Sequence, residues 1–216
     1  MLESCKENVV NACKRMYASG FTVGSWGNIS MRSGNYICIT PSGSNYSKLR
    51  PEDIVVTDIN GKKIEGTLEP SSERLMHYEI YKKRPDVNFI IHTHAVYSSI
   101  FSVINMEIPA ITEDVAMILG KSVKIARYAL TGTEELAQNV VNALGSNNAA
   151  IMANHGAVSV GQDMERAMAA SEVLEKTARI MSYAIMYGKY TTIPDEDIKI
   201  LMEKSGNYLK QWKNWE

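Results

Sequence analysis

Four histidines occur in the chain, and two of them form Ile91-His-Thr-His94. The residues just before, Asn88-Phe-Ile-Ile, read as a strand, so the pair stands at its C-terminal end. Strand side chains alternate, so His92 and His94 project from one face with Cα atoms about 6.5–7 Å apart. Two imidazoles at that spacing can converge on one ion at N–metal distances of about 2.0–2.1 Å. A third, His155, follows the apolar run Ala149-Ala-Ile-Met-Ala153 in Asn154-His-Gly156, again where a strand runs out into a loop. Strand ends are where open α/β sheets place their chemistry. Three imidazoles with an open position suit a catalytic divalent ion, zinc above all. The competing reading is a set of hydrogen-bonded structural histidines. His77 falls inside a predicted helix over 72–83 and is read as a helix-face residue satisfied locally.

Pro70-Ser-Ser-Glu73 supplies a second signal. Ser71 or Ser72 can cap the helix that begins there, and Glu73 in its first turn suits the helix dipole. The same free N–H groups and hydroxyls form an anion site suited to phosphate. A carboxylate at that spot, beside a dication, can act as ligand or proton shuttle. Two Gly/Ser/Asn loops, Gly24-Ser-Trp-Gly-Asn-Ile-Ser30 and Thr40-Pro-Ser-Gly43, add amides and hydroxyls that could nest a small phosphate. Neither has the glycine spacing or lysine of a nucleotide-binding loop, and each could be an ordinary tight turn.

The elements that must position these groups alternate irregularly. Apolar spacing predicts helices over 2–19, 72–83, 96–103, 133–144 (capped by Thr133), 163–186 and 195–209. Short β-branched runs predict strands over 36–40, 54–58, 88–93, 149–153 and 157–160. This is not the strict βαβα beat of a parallel sheet. The expectation is a single α/β domain over 1–216, a central, mainly antiparallel sheet flanked by helices.

Composition narrows the function class. In 216 residues, 23 Lys and Arg oppose 24 Asp and Glu, a net charge of −1. That removes the basic footprint of a nucleic-acid binder and of a polybasic membrane anchor. No apolar run approaches the ~20 residues of a membrane span, and the first residues lack the order of a signal peptide, so a cytoplasmic protein is expected. Cys5, Cys13 and Cys38 have neither zinc nor redox spacing and read as buried packing.

Taken together, Gly27-Asn28-Ile-Ser30, Ile39-Thr-Pro-Ser-Gly43, Pro70-Ser-Ser-Glu73, His92-Thr-His94 and Asn154-His155-Gly156 resemble the class II sugar-phosphate aldolases. Within that family the likeness is greatest to L-fuculose-1-phosphate aldolase, and it spans nearly the whole chain. The resemblance implies that His92, His94, His155 and Glu73 bind one zinc ion per subunit, or another divalent metal, with Glu73 also the acid/base. It implies that Gly27, Asn28, Ser42, Gly43, Ser71 and Ser72 hold the substrate phosphate. The implied reaction is cleavage of a ketose 1-phosphate between C3 and C4 to dihydroxyacetone phosphate and a short aldehyde, with no Schiff-base lysine. The implied assembly is a homotetramer with sites between subunits.

The sequence departs from the pattern at one position. Where the fuculose enzyme has a tyrosine two residues after Ile-Pro-Ala-Ile, this chain has Glu113, which either takes over proton transfer or is a surface residue. Tyr208 resembles a second family tyrosine that reaches a neighbouring site. L-fuculose 1-phosphate is therefore one candidate beside 5-deoxy- and methylthio-pentulose phosphates. The same motifs also fit a methylthioribulose-1-phosphate dehydratase, less well a pentulose-phosphate 4-epimerase, or a non-catalytic sugar-phosphate binding protein.

Overall fold

Strand alternation sets the layers. The computed structural model describes residues 2–211, with side chains through residue 206. In chain order it forms α1 (Leu2–Ala18), β1 (Asn28–Ser33), β2 (Tyr36–Ile39), β3 (Val55–Asp58), β4 (Lys63–Glu65), α2 (Arg74–Lys83), β5 (Phe89–Thr93) and α3 (Val96–Ile104). Then follow β6 (Ile108–Pro109), a π-helical turn (Val115–Leu119), β7 (Ser122–Ala126), α4 (Glu134–Leu144), β8 (Ala149–Met152), β9 (Gly156–Gly161), α5 (Met164–Met186) and α6 (Asp195–Gln211). Among the described residues nine strands lie in the order β4-β3-β2-β1-β5-β9-β8-β7-β6. Every neighbouring pair is antiparallel except β7 with β8. The expected single α/β domain with a mainly antiparallel sheet is what forms.

The central strands are buried on both faces, so they read as continuous apolar runs. Ile37, Ile39, Ile90, Met152, Val158 and Val160 pack on one side with Met76 and Ile80 of α2 and Leu136 and Val140 of α4. Cys38, Phe89 and Ile91 turn the other way, toward Val9, Cys13 and Met16 of α1. Ile151 and Ala157 join Ala170 and Leu174 of α5 on that second side. His92 follows Ile90 by two residues, so the pleat directs it to the α2 face. The three cysteines are free and buried, as expected.

Caps fix the helix starts. Thr133 Oγ1 accepts from the Leu136 N–H at 3.2 Å, the predicted cap of α4, and Asp163 Oδ1 accepts from Arg166 N–H at 2.9 Å at the start of α5. The predicted helix over 72–83 begins later, at Arg74, because Ser71 to Glu73 form a turn: Ser71 Oγ accepts the Glu73 N–H at 3.2 Å. Glu73 is thus the capping-position residue and not a member of the first turn. The stretch read as a loop over 24–30 is a loop only to Gly27; from Asn28 it is strand β1, paired on both sides. Strands β4, β6 and β7 and the π-helical turn carried no recognised signal.

Candidate active site

Three sequence motifs separated by tens of residues are tied by main-chain bonds. Thr40 N–H donates to Ile29 O at 3.0 Å, and Thr40 Oγ1 accepts from Ile29 N–H at 3.1 Å. Ser71 N–H donates to Thr40 O and Ser42 N–H to Glu69 O, both at 3.0 Å, around a Pro41–Pro70 bridge. The outcome is a small cavity of about 150 Å³ lined by Gly27, Asn28, Ser42, Gly43, Ser71 and Ser72, with Glu73 in its wall. All six residues expected to hold a phosphate line it, and none is charged.

Gly27 permits this closure. Its φ is +92°, and a Cβ there would stand 2.6 Å from the His92 carbonyl oxygen. Only glycine allows both the left-handed backbone and the contact. Tyr46, which the sequence did not single out, donates its buried hydroxyl to the Gly27 carbonyl and pins the same turn.

On the other side of Glu73 the histidines meet. Donor atoms of Glu73, His92, His94 and His155 all lie within 4.8 Å of one another. Glu73 Oε2 stands 3.3 Å from His92 Nε2 and 3.4 Å from His155 Nε2. Antiparallel pairing of β5 with β9 explains why His155, some sixty residues away, arrives here: Thr93 lies opposite Ala157. His155 N–H donates to Ser102 Oγ at 2.9 Å, which anchors the loop to α3. Gly156 lies within one of the motifs, but the sequence assigns it no role. A Cβ there would lie 2.4 Å from Thr93 O and 3.2 Å from His92 Cε1, so a side chain would force β5 and β9 apart beneath the rings.

Electrostatics prepare this cluster for a cation. Burial pushes His92 below the usual imidazole range, and it pushes His94, beside His92 and His155, down to about 3. Burial would raise the Glu73 carboxyl, but His92 and His155 more than offset it and hold it at about 2. His92 Nδ1–H donates to Ala157 O at 2.9 Å, which leaves the Nε2 lone pair aimed into the cluster. Glu73 Oε2 is buried without a hydrogen-bond partner, a state that costs more than about 1–3 kcal/mol for a charged group. One carboxylate and neutral imidazoles converging on a shared point fit a divalent ion.

A second, larger cavity of about 530 Å³ opens beyond His94 and His155, lined on its apolar side by Val23, Trp26, Tyr128 and Leu130. Trp26 lines both cavities, its ring centroid 5.6 Å from that of His94. His77 proves not to be satisfied locally. It is fully buried and bonds Asn28 and Ser30 of β1. Glu113 is exposed and lines neither cavity. Tyr208 lies on α6, and its side chain is outside the described residues.

A mixed α/β domain with a carboxylate and three histidines at one sheet end is the arrangement of the class II aldolases, metal-dependent carbon–carbon lyases. The chain matches the family model described as Class II Aldolase and Adducin N-terminal domain over residues 7–182, and it belongs to that family. It is 33% identical to 5-deoxy-D-ribulose 1-phosphate aldolase of Bacillus thuringiensis, covering 98% of this chain and 100% of that one. It is 35% identical to L-fuculose phosphate aldolase of Escherichia coli over 93% of each. A solved structure of L-fuculose 1-phosphate aldolase superposes with a TM-score of 0.90 at 34% identity, covering 93% of this chain and 95% of the other. Among the described residues no helix is long and apolar enough to cross a membrane.

Proposed function

We propose that this protein catalyses the zinc-dependent, reversible aldol cleavage of a ketose 1-phosphate to dihydroxyacetone phosphate and a short aldehyde with an apolar end. The observation that carries this reading is the placement of two unlike cavities on either side of Glu73 and the histidines. A neutral, donor-rich pocket of about 150 Å³ lies on one side and an apolar groove of about 530 Å³ on the other. A substrate with phosphate at one end, adjacent oxygens in the middle and a methyl or methylthio group at the other end matches that order. L-fuculose 1-phosphate and the 5-deoxy- and 5-methylthio-pentulose 1-phosphates share this layout.

Asn28, Ser42, Ser71 and Ser72 bind and orient the phosphate through neutral donors. Glu73, at the junction, takes up a proton from solvent and delivers it to C3 as the C3–C4 bond breaks, and it removes that proton in condensation. A zinc ion held by Glu73, His92, His94 and His155 would supply Lewis acidity to the ketone half. A tetramer is supported by exposed apolar residues on neighbouring helices, Val96, Val103 and Ile104 of α3 with Tyr183 and Met186 of α5. Within such an assembly Tyr208 reaches the site of a neighbouring copy, and Glu113 takes the proton on the aldehyde side.

The test is turnover of purified, zinc-loaded protein against a panel of ketose 1-phosphates, with products identified by mass. Dihydroxyacetone phosphate plus an aldehyde is expected. Loss of water would mean a dehydratase, and binding without turnover would end the enzymatic reading.

A further inference from the structure

One histidine stands apart from the candidate metal cluster and is, like His92, fully enclosed. His77 sits one turn after Glu73 on α2 with no exposed surface. Its Nε2 is 2.5 Å from Asn28 Oδ1, and its Nδ1 is 2.6 Å from Ser30 Oγ. Ser30 Oγ in turn is 2.8 Å from the buried Tyr81 hydroxyl. Burial, reinforced by His92, pushes His77 down to about 3, so the ring is neutral and has a single N–H.

A carbonyl oxygen only accepts, so the ring hydrogen must be on Nε2 to meet Asn28 Oδ1. The Ser30 hydroxyl then donates to Nδ1, and the Tyr81 hydroxyl donates to Ser30, whose hydroxyl and carbonyl oxygens lie 2.8 and 3.0 Å from it. With Oδ1 held from behind, the remaining polar group of Asn28 is its NH₂, and Asn28 lines the small cavity. The opposite amide orientation would turn a partial negative charge toward the pocket.

From this relay we propose that His77 is a positioning residue that locks the Asn28 amide with its N–H groups facing the cavity, where they serve as donors to a phosphate group. The inference rests on the phosphate reading of that cavity. The chemistry is that of an oriented neutral dipole. A neutral imidazole fixes an amide, and the amide selects an anion without any lysine or arginine.

The experiment reads two quantities on zinc-loaded protein. The first is the tautomer of His77 in the parent chain, from long-range ¹H–¹⁵N correlation. Protonated Nε2 is expected, and protonated Nδ1 would overturn the proposal with no variant needed. The second is affinity for inorganic phosphate by titration calorimetry, with KM and kcat on the cleaved ketose phosphate. His77→Leu should weaken phosphate binding about 10- to 100-fold, the order expected when one hydrogen bond to a charged group is lost, and raise KM far more than it lowers kcat. Zinc content should not change. His77→Gln, whose amide N–H can still meet Asn28 Oδ1, should recover most of that affinity. Equal phosphate affinity in His77→Leu and parent, or a loss in His77→Gln as large as in His77→Leu, would overturn the positioning role. A parent protein that binds no phosphate would instead overturn the pocket reading, and this inference with it.

Discussion

The Nε2 atoms of His92 and His94 face each other at 3.0 Å, next to a Glu73 oxygen that has no hydrogen-bond partner. Since His92 donates from Nδ1 to Ala157, its Nε2 can only accept. One hydrogen between the rings satisfies that pair but not the carboxylate. A divalent ion satisfies all three.

Metal removal should therefore abolish turnover and leave the fold. The core is formed by apolar clusters on both sheet faces, and only the site depends on the ion. Dialysis against a chelator should give inactive protein with an unchanged far-ultraviolet spectrum, and one equivalent of zinc should restore activity. His92→Ala should lower metal stoichiometry in the same measurement. Full turnover in protein shown to be metal-free would sink the assignment.

Acid should weaken the metal-free protein earlier than ordinary carboxylate titration does. An unfolded histidine titrates near 6.5, whereas burial, with His92, holds His77 at about 3. Between those values the unfolded chain binds the proton and the folded chain does not, so stability falls as pH falls. The contribution is complete above about pH 6.5 and declines by up to about 1.4 kcal/mol per unit below it. Glu73, held at about 2, acts in the same direction in a lower window, beginning near the unfolded value of about 4.5. Urea midpoints at pH 8, 6.5 and 5 should be level between the first two and lower at the third. A flat profile down to pH 5 would contradict a neutral, buried His77.

Gly156 should tolerate no side chain. A Cβ meets the Thr93 carbonyl oxygen at 2.4 Å, and backbone cannot step aside as a flexible side chain can. Gly156→Ala should cost about 1–3 kcal/mol, the usual range for overpacking, and should lower zinc affinity because the His92 and His94 rings lie within reach of the same methyl. Calorimetric Tm and zinc titration check the two effects separately. Gly43, where a Cβ meets nothing within 4 Å, provides a contrast: Gly43→Ala brings backbone strain from its φ of +68° without the clash.

The legible parts of the molecule were those with local signals. Helix α4 announced itself through Thr133 and its apolar spacing, and β5 through Phe89-Ile-Ile. The convergence of the three histidines was legible because strand alternation and strand ends are local rules, whereas Glu73 as their fourth partner came with the family resemblance. His77 was misread because its partners, Asn28 and Ser30, lie nearly fifty residues earlier, and no helix pattern records a cross-sheet partner. Gly156 was quoted within a motif yet given no task, because its constraint comes from the Thr93 carbonyl on another strand. Strand β7 was missed because Ser122-Val-Lys-Ile-Ala126 gains its place by parallel pairing with β8, a tertiary fact. Glu73 was expected in the first turn of its helix; the preceding Ser71 turn delays the helix and leaves the carboxylate at the cavity junction.

That position sharpens the last prediction, that Glu73 is the acid/base and not only a helix-start residue. A carboxylate serving only the helix would face solvent beside free N–H groups. Glu73 is instead buried, and its Oε2 approaches His92 and His155. Glu73→Gln preserves the shape and removes the ionisable group, so turnover should fall by about 10²–10⁴-fold, the usual worth of a positioned acid or base. A helix-start role alone would cost about 0.3–1 kcal/mol of stability with near-normal turnover. Exchange of the C3 proton of dihydroxyacetone phosphate with deuterated water separates the two, because it needs the base without the aldehyde half of the reaction. Measured at equal zinc occupancy, exchange should fall in step with turnover. If Glu73→Gln exchanges that proton at the parent rate, another group is the base, and the apparent role of Glu73 reduces to holding the site together.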